Sequence, residues 1–514
     1  MKQVESVKTG LETFSRWEIL LYFTVYISYL FYGLNALLAI RDRILEVAAY
    51  QPRDDSNDEL ENFSQFIQKS WHWYVLHLCI SVALRIGLLR RPGLAYAVFS
   101  ALFLLITFHP ASVVVVSILL CSYYAASKRS TKADVWILSG VWILIINVLK
   151  SSDVVYELLG YEEYFMLVVL LSWTMLRCCS FALNRINDVP DAVTQNCSEA
   201  TWNTPVDQMY SVEHYLGYAL YFPTLIHGPF LGFRRYIVVI QDTPTQLHRC
   251  NSRIWLLLRQ LLRVFFWWLV MYFSLHFLYI HYMERDILAV RLIENSYTQY
   301  AIVYFMGQFF FMYYVVTYGL GIAIASFDGL DPPKRPRCIG RIHFYSDMWK
   351  FFDEGLYEFL FHHIYAELCA KNSVFLAKLF AITATFAFIF VWHGCYEYVL
   401  IWSLLNFVCL VAEKLFKKVT SSKRYLELVT MHLGSQNSQR LRALMATQIF
   451  IPAAYSNVYF ISGSRVGNLL MYGAYCSGVA NYLLLTFCSY CFFQCSEIIS
   501  NLQSTKKVSS KQEQ

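Results

Sequence analysis

A succession of long apolar runs restricts this chain more than any other feature, with the first at residues 17–40 and the last at 467–497. Between them lie runs at 72–88, 94–125, 134–149, 162–183, 211–233, 254–283, 299–326, 374–393, 396–416 and 446–464. A helix needs ~20 apolar residues to cross the hydrocarbon core of a bilayer, and most of these runs reach that length. In lipid the backbone amides must be satisfied internally, which leaves helices or a closed barrel. Barrel strands are short and alternate in polarity. These runs are long and continuous. The expected fold is therefore all-α and polytopic, with about 10–11 spanning helices and one or two re-entrant segments.

Composition supports that class and excludes others. Only 15% of the residues are charged against 57% hydrophobic, too little charge to cover a water-soluble surface. The net charge of +6 is small and dispersed, so it does not argue for a nucleic-acid partner, and none is expected. Aromatics reach 18%, as interfacial belts and a packed helical interior require. The 14 cysteines are scattered through apolar runs and form no secreted disulfide framework. Cys488, Cys491 and Cys495 share a helical spacing and read as small packing residues or lipidated thiols, ahead of a metal site. The first apolar run is long enough to act as a signal anchor. No internal repeat supports an inverted-repeat transporter.

Charge patterning sets the orientation. The basic breaks "LRRP" (89–92), "SKRSTK" (127–132), "KLFKKVTSSKR" (414–424) and "TKKVSSK" (505–511) prefer the cytosolic side. The acidic loop "RDDSNDELENFSQ" (53–65) contains the acceptor triplet Asn62-Phe63-Ser64, and a second triplet is Asn196-Cys197-Ser198. Residues 1–500 are expected to form one membrane domain with a core near 211–410, and 501–514 a disordered tail.

The stretch 327–407 is the most informative. It opens with "FDGLDPPKRPRCIGRIHFYSDMWKFFDEGLYEFLFHHIYAELC", too polar to span. Pro332, Pro333 and Pro336 exclude a helix at its start. Ser346 or Asp347 can cap a helix running through Trp349 and Asp353. Trp349, Phe352, Leu356, Leu360 and His363 then fall on one stripe, with Asp353 on the face of Trp349. This predicts an amphipathic helix at the membrane, with Asp353 at its edge or on its buried side. His393 ends the next apolar run, followed by Glu397 four residues on. Ionisable groups within membrane segments are usually paired or line a water-filled cavity. A helix pair would bring Asp353 and His393 into one such cavity, with histidine the better general base near neutral pH.

Taken in order, "SRWEILLY", "RCCSFALN", "YFPTLIHGPFLGF", "FDGLDPPKRPRC", "MWKFFDEGLYEFL", "WHGCYEY" and "YFISGSRVG" resemble the membrane-bound O-acyltransferase (MBOAT) superfamily, in its Hedgehog acyltransferase branch. The resemblance covers nearly the whole chain. It implies a multi-pass endoplasmic reticulum enzyme, or one of the Golgi. Such an enzyme moves palmitate from palmitoyl-CoA to the N-terminal cysteine amine of Hedgehog, and for some members of Spitz-like EGF ligands. It implies His393 as the catalytic histidine and Asp353 as the essential aspartate. Trp349, Trp392 and His227 fall on the substrate path, and Cys338 is a ligand to a structural haem iron. The family pattern has His-Asn before the Gly228-Pro229 pair, where this chain has Ile226-His227, and Cys395 stands where a second glycine is found. The alternatives are O-acylation of another secreted peptide or a lipid, or a catalytically silent membrane regulator. For the phosphates of the CoA head, Arg335, Arg337 and Lys350 are the candidate partners.

Overall fold

The structure, a computed structural model, describes residues 14–47, 52–129, 131–194, 206–241, 250–293, 295–369 and 374–512. Among these residues every regular element is helical. Ten helices are long and apolar enough to cross a membrane. They are α1 (Arg16–Ala39), α2 (Pro110–Arg129), α3 (Lys132–Leu149), α4 (Tyr161–Thr194), α5 (Cys250–Ser274), α6 (Ser296–Asp328), α7 (Phe375–His393), α8 (Glu397–Thr420), α9 (Lys423–Cys476) and α10 (Val479–Gln512). The expected all-α polytopic class is therefore the observed one.

Local sequence explains where the helices stop. Ser15 caps α1, and a reciprocal Thr131–Asp134 capping box starts α3. Gly329, left-handed at φ +95°, ends α6. Gly434 and Gly463 interrupt α9 with non-helical backbone, so that run is three segments in sequence. α4 and α6 are the most enclosed spans, and the others wrap around them. α5 lies against α6, α8 against α9, and α1 against α6 and α10.

Four expectations change. The run 94–125 divides at Pro110 into a helix Pro92–Thr107 and α2. The run 72–88 belongs to a helix that begins earlier, Asp58–Arg85, capped by Asn57. That helix buries Asn62, so its acceptor triplet is enclosed by packing; Asn196-Cys197-Ser198 lies outside the described residues. The run 211–233 does not span. Pro223 and Pro229 break it into a helix Val212–Ala219, a single turn at Phe222–Thr224 and a buried loop that leads into the helix Phe233–Gln241. The wholly buried Arg177 of α4 bolts this loop in place, donating to the carbonyls of Ala219 and Thr224 and, at 3.0 Å, to the Thr224 hydroxyl. Finally, the segment from 501 expected to be disordered continues α10 through Gln512, since Lys and Gln extend a helix once an apolar run has nucleated it.

Candidate active site

Chemistry-bearing residues converge on one cavity of about 260 Å³ whose walls come from α1, α6, α7, α8, α9, α10 and the segment 339–357. Both His393 and Asp353 line it, together with Trp349. Away from these residues the walls are mostly apolar and aromatic, including Tyr26, Tyr300, Val303, Leu485 and Phe492. The space is an apolar slot with a polar end.

Asp353 reaches that end by a route the periodicity did not predict. The helix Tyr345–Phe351 stops, and Asp353 caps a second short helix, Glu354–Leu360. Trp349 and Asp353 therefore sit on two helices and not on one face of one. Ser346 and Asp347 do not cap the first; the Ser346 N–H and hydroxyl donate to Glu413 of α8, the N–H at 3.1 Å. Asp353 accepts the Leu356 N–H at 2.9 Å and the Tyr318 hydroxyl of α6 at 2.8 Å. Burial raises its carboxyl above the usual aspartate range, while the hydrogen bonds from Leu356, Tyr318 and Gly355 pull it back down. Its described hydrogen bonds thus go to Tyr318 and Leu356 and not to an imidazole. Gly355 lies directly on the Phe230 backbone, where no Cβ fits, so the buried 222–232 loop supports the aspartate from behind.

His393 is positioned by the end of its helix. Gly394, at φ +116°, terminates α7, and a Cβ there would stand 2.6 Å from the Tyr396 ring. The break separates His393 from Glu397, which starts α8 exposed, so the two do not share a helix face. The freed C-terminal carbonyls of α7 are taken up by α3: Asn147 donates to Val391 O at 2.9 Å, and Lys150 to His393 O at 3.3 Å. Three rings hold the imidazole, with centroids at 4.8 Å (Trp392), 4.9 Å (Phe460) and 5.7 Å (Trp402).

A polar ladder fixes those rings. Trp349 donates its indole N–H to Asn406 at 3.1 Å, and Asn406 donates to Ser456 at 3.1 Å. Trp402 and Tyr345 both donate to Asn457, at 3.3 and 2.7 Å. Trp349 lies 5.5 Å from Trp402, and Trp402 lies 4.5 Å from Phe460. Tyr318, Asn147, Lys150, Asn406 and Asn457 were missed by the sequence reading. Asn147, Asn406 and Asn457 carried a signal, since an amide within an apolar span needs an internal partner.

The other predicted residues are dispersed. Trp392 packs between His393 and Trp173, behind the cavity wall, with no described partner for its indole N–H. His227 is not on the cavity. It is enclosed by Phe63 and Phe66 at 4.6 and 5.3 Å, and its Nε2 has no partner among the described residues. Cys338 is half-buried beside the Gln308 amide, 3.8 Å from its Nε2. Arg337 and Lys350 share the Phe351 ring at 3.7 and 5.4 Å, next to Trp349 and Phe352 of the cavity wall. Arg335 is instead beside Arg263 and Arg259 of α5. No group of three or more metal-ligating side chains occurs among the described residues.

An imidazole and a carboxylate at one end of an apolar slot suit base-assisted transfer of a long acyl chain. Comparison with known proteins points the same way. Residues 118–456 match the membrane-bound O-acyltransferase family. The chain is 48% identical over 499 residues to the protein-cysteine N-palmitoyltransferase Rasp of Drosophila melanogaster, covering 94% of this chain and 95% of that protein. It is 27% identical over 308 residues to the protein-cysteine N-palmitoyltransferase HHAT of Mus musculus, covering 60% of this chain and 59% of that protein. An HHAT-like protein of Mus musculus is 26% identical over 334 residues, 63% of this chain and 60% of its own length.

Proposed function

Because the chain belongs to the membrane-bound O-acyltransferase family, we propose that it is a protein-cysteine N-palmitoyltransferase of the endoplasmic reticulum or Golgi membrane. It takes palmitate from palmitoyl-CoA and attaches it to the N-terminal cysteine amine of a Hedgehog precursor, and of Spitz-like EGF ligands. The observation that carries this reading is the shared cavity: His393, Asp353 and Trp349 at its polar end, and an apolar slot between α1, α6, α9 and α10. The slot accommodates the acyl chain, while Arg337 and Lys350 on Phe351 lie at the basic face and hold CoA phosphates. The acceptor amine approaches from the opposite, acidic-loop side.

An α-amine has a pKa near 8, so a substantial neutral fraction is present at pH 7. The neutral nitrogen attacks the thioester carbonyl carbon. The nitrogen's proton passes to His393, the C–S bond breaks, and His393 hands that proton to the departing sulfur, so that CoA leaves as a thiol. Asp353, fixed by Tyr318 and Leu356, accepts a hydrogen bond from the neutral amine and directs its lone pair to that carbon. The buried thiols Cys178, Cys179, Cys409, Cys491 and Cys495 are not needed for an acyl-enzyme.

Cys338 is the residue that would supply a thiolate to a haem iron: it is half-buried, unpaired with any other cysteine, and flanked by Tyr26 and Tyr304 around Gly340. A haem bound there would tie the 334–342 loop to α1 and α6, and no step of the transfer passes through it. Absorbance of the purified protein tests this, with a Soret band expected for the wild type and lost in Cys338→Ala.

The principal experiment uses purified protein, alkyne-labelled palmitoyl-CoA and a peptide with an N-terminal cysteine followed by Hedgehog sequence, beside His393→Ala. Hydroxylamine-resistant label in the wild type, lost in the variant, is expected. No label from the wild type despite bound palmitoyl-CoA would overturn the acceptor; equal label in both proteins would overturn His393 as the base.

A further inference from the structure

Arg335 stands apart from the cations assigned to the donor. Burial, together with Arg263 and Arg259, pushes its guanidinium down to about 10, and no carboxylate is among the groups acting on it. Arg259 and Arg263 lie four residues apart on one exposed face of α5, flanked by the exposed Leu258, Leu262 and Phe266. Both fall within the apolar span Arg253–Ser274, and at 1.5 Å per residue Arg263 stands roughly 15 Å along it. No ion pair joins Arg259, Arg263, Lys334 or Arg335 to an acid among the described residues. The neighbouring Arg235 differs, with Asp331, Glu354 and Glu358 around it.

Three guanidiniums from two separate elements repel one another, and lipid-facing charge at this depth is costly. An anion of the surrounding medium would relieve that repulsion. The site also lies on the basic side of the membrane. Loop 330–337 follows Asp328, which is bonded to His77 at 2.8 Å, and the helix carrying His77 ends at Arg85 just before the "LRRP" break. That side faces the anionic leaflet.

We propose that α5 and the 330–337 loop form a headgroup site for an anionic phospholipid of the cytosolic leaflet, with its phosphate held by Arg259, Arg263 and Arg335. Planar forks suit a phosphate better than point charges would. The acyl tails of that lipid lie along the exposed face of α5. The site uses arginines other than the cations assigned to CoA, Arg337 and Lys350, and its existence does not depend on the acyl-transfer reading.

Native mass spectrometry of the full chain, released from nanodiscs of phosphatidylcholine with 10–20% (about one lipid in five to ten) phosphatidylserine, tests it against Arg259→Gln/Arg263→Gln/Arg335→Gln. The wild type should retain phosphatidylserine over phosphatidylcholine, falling about fivefold per arginine removed. Equal retention by the variant overturns the site. Displacement of the lipid by CoA or by inorganic phosphate alone assigns the cluster to a soluble phosphate and also overturns it. If the glutamine variant does not fold, the triple lysine variant keeps the charge and removes the forks; undiminished retention by it, or wild-type retention insensitive to salt, counts against the proposal.

Discussion

Tyr318→Phe isolates the hydrogen bond that sets Asp353. The variant removes one oxygen and keeps the ring, which packs 4.9 Å from Tyr314 and 6.2 Å from Trp173. Asp353 then loses the 2.8 Å donor on one carboxylate oxygen and keeps the Leu356 N–H on the other. A hydrogen bond to a charged group contributes about 1.5–3 kcal/mol, so the carboxylate proposed to hold the reacting amine should lose roughly 10- to 150-fold in rate. The loss should fall on kcat more than on the KM for palmitoyl-CoA, because the apolar slot is untouched. The assay is label transfer to the N-terminal cysteine peptide under initial-rate conditions, with Asp353→Asn as the reference for full loss. Folding is checked by the melting temperature in the same detergent. A Tyr318→Phe protein within twofold of wild type, while Asp353→Asn is inactive, would show that Tyr318 does not orient the aspartate and that Leu356 alone suffices.

Gly394→Ala should lower the melting temperature and reduce acyl transfer at least tenfold, since left-handed backbone costs an alanine ~1–2 kcal/mol before its Cβ meets Tyr396 at 2.6 Å; an active, fully stable variant would mean that the α7 break does not position His393. His343, held neutral by burial with Arg442, Lys417 and Arg337 nearby and pushed down to about 3, gives a pH test. The unfolded chain takes up a proton there below about pH 6.5 and the folded chain does not, so stability is present above that pH and lost as pH falls. The wild-type unfolding free energy should therefore fall more steeply between pH 6.5 and 5 than that of His343→Gln, by up to ~1.4 kcal/mol per pH unit; parallel slopes would refute it.

Much of this architecture is legible without coordinates, because the bilayer leaves few choices. The runs at 134–149, 299–326 and 374–393 become α3, α6 and α7 with small changes at the ends, and the run at 162–183 becomes α4, which continues to Thr194. What failed was periodicity applied across a break. Trp349 and Asp353 are four residues apart, which predicts one face, yet the chain ends one helix before Asp353 and starts another with it. An aspartate is a preferred N-cap, so a second reading of "FFDEGL" was available in the residues. His393 and Glu397 failed for the same reason: Gly394 takes a backbone that a spacing argument does not consider. Tyr318 was not legible at all, because its hydroxyl meets Asp353 across 35 residues, a tertiary contact without a local signature.

The two breaks share a physical logic. A continuous helix buries its own amides and offers nothing to a substrate, whereas a helix end exposes unpaired donors or acceptors. Within the bilayer such ends are tolerated only where they face protein or a polar cavity. Here the end of α7 is closed by Asn147 and Lys150, and the start of Glu354–Leu360 is closed by Asp353 itself. Both ends therefore persist at depth, and each delivers one ionisable side chain to the same cavity wall. The aromatic clamp and the Asn406–Asn457 ladder hold those side chains without adding competing acids or bases around the imidazole. The membrane thus acts as more than a solvent for the apolar runs. By forbidding open helix ends elsewhere, it favours the placement of His393 and Asp353, each beside such an end, on the lining of this slot.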